Sequence, residues 1–215
     1  MAIAIAVGGL SGGLSSAIVG GKFSAGFRQG LITSGLNHVA HATYKGIHEN
    51  KLRNQLDKYS HLDIMLGDEW GRERAFQILV DKVPILRKEY LKSIQMGGKI
   101  SIDMKGGLEG SIRAITNGDP GHAKITFYDL SFKDIYTFGE TIHHELVHVY
   151  HHVSGIYQGW INKAGGEPRG ILYAKFMSEH YAYAESYKVT GNLIWKFESE
   201  NNLIDANNEC KVWCK

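Results

Sequence analysis

Residues 143–152 read HHELVHVYHH, and the residues around them follow a period that an α-helix satisfies and a strand does not. Ile142, Leu146, Val149, Tyr150 and Val153 recur at intervals of three and four, the apolar stripe of a helix packed into a core. Thr137-Phe138-Gly139-Glu140 has capping-box spacing, which predicts a helix start at about Phe138, and Gly155 suits a left-handed C-terminal cap. The stretch is therefore read as a helix of roughly four turns. On such a helix His144 and His148 stand on one face, one turn apart, so that both imidazoles can grip the same metal ion. Glu145 lies beside the first of them. It can take a proton from water held there without occupying a coordination position.

His148 and His152 are also four apart, but no glutamate follows His148, so that pair lacks a base. His143, His151 and His152 are read as surface or supporting groups rather than ligands. A catalytic zinc site usually takes three protein ligands, so the third must come from elsewhere in the chain. The metzincin pattern would place glycine at 151 and histidine at 154, where this sequence has His151 and Ser154, which disfavours that subclass. The segment Ser178–Glu185 lies in a second helical stretch, expected from about Tyr173 to Thr190 and ending at Gly191. Within it Glu179 resembles the glutamate ligand of gluzincin peptidases, where a small residue one turn on, here Ala182, lets two helices approach. His180 and Glu185 are rivals for the third position. Tyr183, one turn beyond Glu179, is the candidate donor to the oxyanion that peptide hydrolysis generates.

At 215 residues, 43% of them apolar, the chain supports one sizeable core with an appendage rather than two full domains. Its 24 basic and 22 acidic residues are interspersed, with no basic stripe interleaved with aromatics, so no nucleic-acid partner is expected. The only cysteines are Cys210 and Cys214. On a helical tail they would face one side, but a disulfide across one turn is awkward, which leaves a free or reversibly oxidised pair equally open.

Residues 1–40 read as a Gly-rich leader and 41–215 as the folded domain. From Met1 to Gly21 there is no charge and there are six glycines, which weakens a helical membrane span despite sufficient length. No basic start of the secretory kind precedes it, so a flexible or loosely helical leader is expected. After the leader, Gly46–Tyr59 and Asp68–Gln95 read as helices, the second ended or kinked at Pro84. Residues 99–104, 111–116 and 124–130 alternate polar and apolar, and Gly106-Gly107 and Asn117–Gly121 supply connections, as in a small antiparallel meander. The fold class expected is α+β. A sheet, then the motif helix, then a helix with the third ligand is the zincin order, and the strand at 123–130 resembles the edge along which such peptidases lay an extended substrate.

The stretch from Gly8-Gly9-Leu10-Ser11-Gly12-Gly13 through Gly20-Gly21-Lys22-Phe23-Ser24-Ala25-Gly26-Phe27 resembles the connector before the variable C-terminal toxin of rearrangement-hotspot (Rhs) and related polymorphic toxins. The remainder, with His144-Glu145-Leu146-Val147-His148 and Glu179-x-x-Ala182, is similar to the metallopeptidase toxin domains of those systems and, in outline, to zinc-peptidase effectors that bacteria inject into host cells. That resemblance implies a Zn2+-dependent peptidase secreted or delivered into a target cell, a protein substrate there, and a cognate immunity protein guarding the producer. Two other classes stay open: a metal-binding interaction module without turnover, and a toxin whose leader acts on membranes.

Overall fold

The computed structural model describes residues 50–104, 106–107 and 112–214, apart from the side chains of residues 169, 212 and 213. The Gly-rich leader, its resemblance to a toxin connector and the boundary at residue 40 lie outside the described residues. In chain order the elements are helix α1 (Lys51–Leu56), a 3-10 stretch (Asp57–Gly67), α2 (Glu69–Lys82), α3 (Pro84–Gln95), strands β1 (Lys99–Asp103), β2 (Ala114–Asp119) and β3 (His122–Phe127), a 3-10 turn (Asp129–Phe132), α4 (Ile135–Val153), α5 (Ile156–Lys163), α6 (Arg169–Thr190) and α7 (Leu193–Trp213).

The motif helix is α4, and it starts three residues earlier than the capping-box spacing predicts. Asp134 is the cap: its Oδ1 accepts from the Thr137 amide at 2.6 Å. Glu140 does not answer Thr137; its carboxyl is turned to Asn50, and burial raises its pKa against the pull of Arg113. At the other end Gly155 takes φ +75°, a backbone that any side chain would strain, and its amide donates to the His152 carbonyl. Pro84 does not kink one long helix but opens α3 as its first residue, after Val83 has broken the chain into extended backbone.

The sheet has strand order β1-β3-β2. β2 and β3 form an antiparallel hairpin, while β1 lies parallel on the other side of β3, so antiparallel pairing is confined to one of the two ladders. Asn117, Gly118 and Asp119, read from sequence as turn residues, extend β2 instead. The turn needs only Pro120 and Gly121, with Gly121 at φ +86°, the left-handed φ required at the third position of a type II turn. The hairpin register shifts with this. Thr116 sits opposite Ile125, and Ala114, Thr116 and Gly118 share the face on which Ala123, Ile125 and Phe127 are buried.

That face packs on α4. Phe138 of α4 meets Phe127 of β3 at 5.4 Å between ring centroids and Phe132 at 5.3 Å, and Ile135, Ile142, Leu146 and Val149 are fully buried along the same side. Each such aliphatic side chain contributes about 1.5–3 kcal/mol by leaving water. At Gly139 a Cβ would run into the Leu56 side chain of the same core, so its lack of one lets α1 and α4 close on each other.

Helix α6 begins at Arg169, earlier than expected, and ends at Gly191 as expected. Helix α7 carries Cys210, and Cys214 caps its C-terminal end; their Cα atoms lie 4.7 Å apart, within the range of a disulfide, and the two are bonded. Of the alternatives open from sequence, the bonded pair is the one found. The folded unit is thus α+β, a small sheet beside the motif helix and a second ligand-bearing helix, the zincin-like arrangement expected from sequence.

Candidate metal centre

Helix α4 places His144 and His148 one turn apart on the side facing away from the Phe127 cluster, with ring centroids 4.8 Å apart. Their Nε2 atoms lie 3.1 Å from each other. Helix α6 brings the third group: Glu179 Oε2 is 3.3 Å from His144 Nε2 and 3.5 Å from His148 Nε2. Ala182, one turn beyond, is fully buried, as the small position next to the ligand requires. Ser178, Ala182 and Ser186 form a buried stripe of small side chains on α6. Ser178 touches His148 and His151, while Ser186 touches His143, so the two helices run in opposite directions.

The three donor atoms pass a simple test of fit. Their spacings average about 3.3 Å, which is the edge of a tetrahedron whose centre lies ~2.0 Å from each corner, the length of a zinc bond to nitrogen or oxygen. The electrostatics agree. Burial alone would raise the Glu179 carboxyl, yet the flanking His148 and His144 rings hold it well below the usual carboxylate range. Burial likewise opposes charge on His148, yet Glu179 and then Glu145 hold its pKa above the ordinary imidazole value. The centre of the triangle therefore favours positive charge, and two imidazoles with one carboxylate are a donor set for zinc or a similar divalent ion.

The rivals for the third corner are engaged elsewhere. His180 uses Nδ1 on the Ser199 carbonyl of α7 at 2.8 Å, and Glu185 pairs with Lys188 at 2.6 Å on an exposed face.

Glu145 is 5% exposed and is not a corner of the triangle. The Thr116 hydroxyl donates to its Oε2 at 2.7 Å. Both line a cleft of about 770 Å³ together with all three ligands, Tyr183 and Trp195. Tyr183 packs 4.6 Å from the His144 ring, and its phenol is pushed up to about 12 by burial and then by Glu179. The opposite wall is β2 and the residues leading into it, Ile112–Asn117. The strand expected at 123–130 to receive substrate is β3, whose two sides are both taken by β1 and β2. The edge that borders the cleft is β2.

The remaining histidines of the motif helix are buried rather than on the surface. His143 contacts Ser186 at 3.3 Å and is lowered to about 3, mainly by burial. His152 stacks on Tyr157 at 4.3 Å between centroids, and Gly118 of β2 offers its ring a backbone acceptor. Sequence reasoning missed Thr116 and Ser178. The first is visible only once the hairpin register puts a polar residue on an otherwise apolar face. The second had a weak signal in the spacing of Ser178, Ala182 and Ser186, small residues four apart along one helix.

No family model matches this chain, and neither a curated protein nor a solved structure does. The buried His144-Glu145-x-x-His148 pair, Glu179 and the α+β frame match a zincin-like metallopeptidase active site.

Proposed function

We propose that this protein is a zinc-dependent endopeptidase that acts as a toxin or effector on a protein of a target cell. One observation carries the hydrolase reading: a triangle of two imidazole nitrogens and a carboxylate oxygen, with edges of 3.1, 3.3 and 3.5 Å, shares a cleft with a carboxylate left out of the triangle. Zn2+ held by His144, His148 and Glu179 would polarise a carbonyl and acidify water. Glu145 is the general base. With Oε2 anchored by Thr116, its Oε1 takes the proton of the attacking water and returns it to the departing amine. Tyr183, its phenol neutral through the physiological range, donates a hydrogen bond to the oxyanion. Among the described residues β2 is an edge strand, and its stretch along the cleft, residues 114–117, pairs with an extended stretch of substrate, which lays the scissile bond across the cleft.

The toxin part of the reading is supported by the likeness of Gly8–Phe27 to the connector of Rhs-type toxins. It entails delivery into a target cell by a bacterial secretion system and a cognate immunity protein in the producer. No helix among the described residues is long and apolar enough to cross a membrane.

The test pairs elemental analysis of the purified protein with proteomic detection of new peptide termini in cells expressing wild type or Glu145→Gln. The expected result is about one zinc per chain in both, with new termini and growth arrest in wild type alone. Equal toxicity of the two would refute proteolysis as the cause and favour a binding module or the leader.

A further inference from the structure

Behind the triangle lies a second, wholly internal set of contacts that the hydrolase reading does not use. Ser178 Oγ sits 2.6 Å from His148 Nδ1 and 2.9 Å from His151 Nδ1, and all three side chains are buried. Two ring nitrogens thus compete for one hydroxyl, which has a single proton to give and lone pairs to accept with. The proton count settles the direction once His148 presents a bare Nε2 to the triangle. Its proton then resides on Nδ1, so Nδ1–H donates to Ser178 Oγ. The hydroxyl keeps one proton, and giving it to His151 Nδ1, with the His151 proton on Nε2, completes a chain in which each bond has one donor and one acceptor.

We propose that Ser178 and His151 are positioning residues for His148, a two-link relay that fixes the tautomer and ring orientation in which it binds the metal. The proposal rests on the metal reading above. His151 is itself held in place: Trp160 of α5 packs edge-on to it at 5.0 Å, and Trp160 in turn stacks parallel on Tyr181 of α6 at 5.6 Å. His151 is only 5% exposed, walled in by Trp160 and Tyr181. The relay is one-sided. His144 Nδ1 is buried without a hydrogen-bond partner among the described residues, so the outer support of the two imidazoles falls on His148. Outer partners of this kind raise the basicity of a ligand and hold its ring, and their loss typically costs 10–100-fold in metal affinity.

The experiment is a Zn2+ affinity measurement on the full chain by competition with a chromophoric chelator, together with two-bond 15N–1H correlation spectra of the imidazoles in the zinc-loaded protein. Ser178→Ala should weaken binding by about 10–100-fold, and Ser178→Thr, which retains the hydroxyl, should restore most of it. His151→Phe should weaken binding in the same direction. The double variant Ser178→Ala/His151→Phe should be no weaker than Ser178→Ala alone, because the relay runs from His151 to His148 through the hydroxyl and Phe keeps a ring against the His148 edge. The spectra should place the His148 proton on Nδ1 and the His151 proton on Nε2. Wild-type affinity in Ser178→Ala, additive losses in the double variant, or a proton on His151 Nδ1 in the wild-type spectrum would each overturn the relay. The spectrum needs no substitution, so a variant that fails to fold does not remove the test. Absence of any zinc binding by wild type is a separate result and would overturn the metal reading together with everything built on it.

Discussion

Replacing Thr116 by Val removes a single hydrogen bond from Glu145 at nearly constant volume. The bond is 2.7 Å long and ends on a carboxylate that is only 5% exposed, so it belongs to the class worth about 1.5–3 kcal/mol. Valine fits the site, because Thr116 shares its face with Ala114 and Gly118 and stands opposite Ile125. Global stability should therefore move by no more than about 1 kcal/mol. The loss falls on the orientation of the base. At about 1.4 kcal/mol per tenfold in rate, it becomes a fall of roughly 10–100-fold in kcat, with KM and zinc content unchanged. The assay is single-turnover cleavage of a fluorogenic peptide pool, run with zinc analysis on the same samples. Thr116→Ser should recover most of the rate, and in a Glu145→Gln background Thr116→Val should do nothing further. A Thr116→Val protein with wild-type kcat would refute the argument, as would a rate loss that merely tracks loss of zinc.

Glu179→Gln should abolish tight zinc binding, whereas His180→Ala, whose ring is tied to Ser199, should leave stoichiometry at one; metal analysis after gel filtration separates the two outcomes. Stripping the ion should lower Tm, since at a zinc concentration 1,000 times Kd the native state gains about 4 kcal/mol, readable by calorimetry with and without chelator. The metal-free protein should lose stability in acid. His143 and His151, both lowered to about 3 chiefly by burial, titrate near 6.5 once unfolded, so the unfolded chain binds the extra protons and stability falls as pH drops from about 6.5 towards 3. Each contributes a slope of about 1.4 kcal/mol per pH unit, and His143→Gln should remove one such proton from the dependence seen in urea melts at pH 5 and pH 7.

The helical part of the site was legible because its signals are local. The three-and-four spacing of Ile142, Leu146 and Val149 fixes which side of α4 is buried, and that leaves His144 and His148 on the other. Glu179 was reachable because a ligand followed one turn later by a small residue is also a local pattern. What could not be read depends on register between distant segments. Asn117-Gly118-Asp119 has turn composition, yet Pro120-Gly121 already closes the hairpin, so those residues pair with β3 and bring Thr116 opposite Ile125. Moving the turn makes β2, not the strand at 123–130, the border of the cleft. The start of α4 misled for a related reason. Two acceptors, Asp134 and Thr137, compete to cap it, and only the packing of Ile135 and Phe138 decides between them.

Two corners of the metal triangle lie on one helix, and the third is 31 residues further on, beyond an intervening helix. An unravelled chain consequently retains a pair of weak donors and no closed cage. Any transit through a narrow conduit would shed the ion, and such a chain would regain chemistry only on refolding where free zinc is at hand.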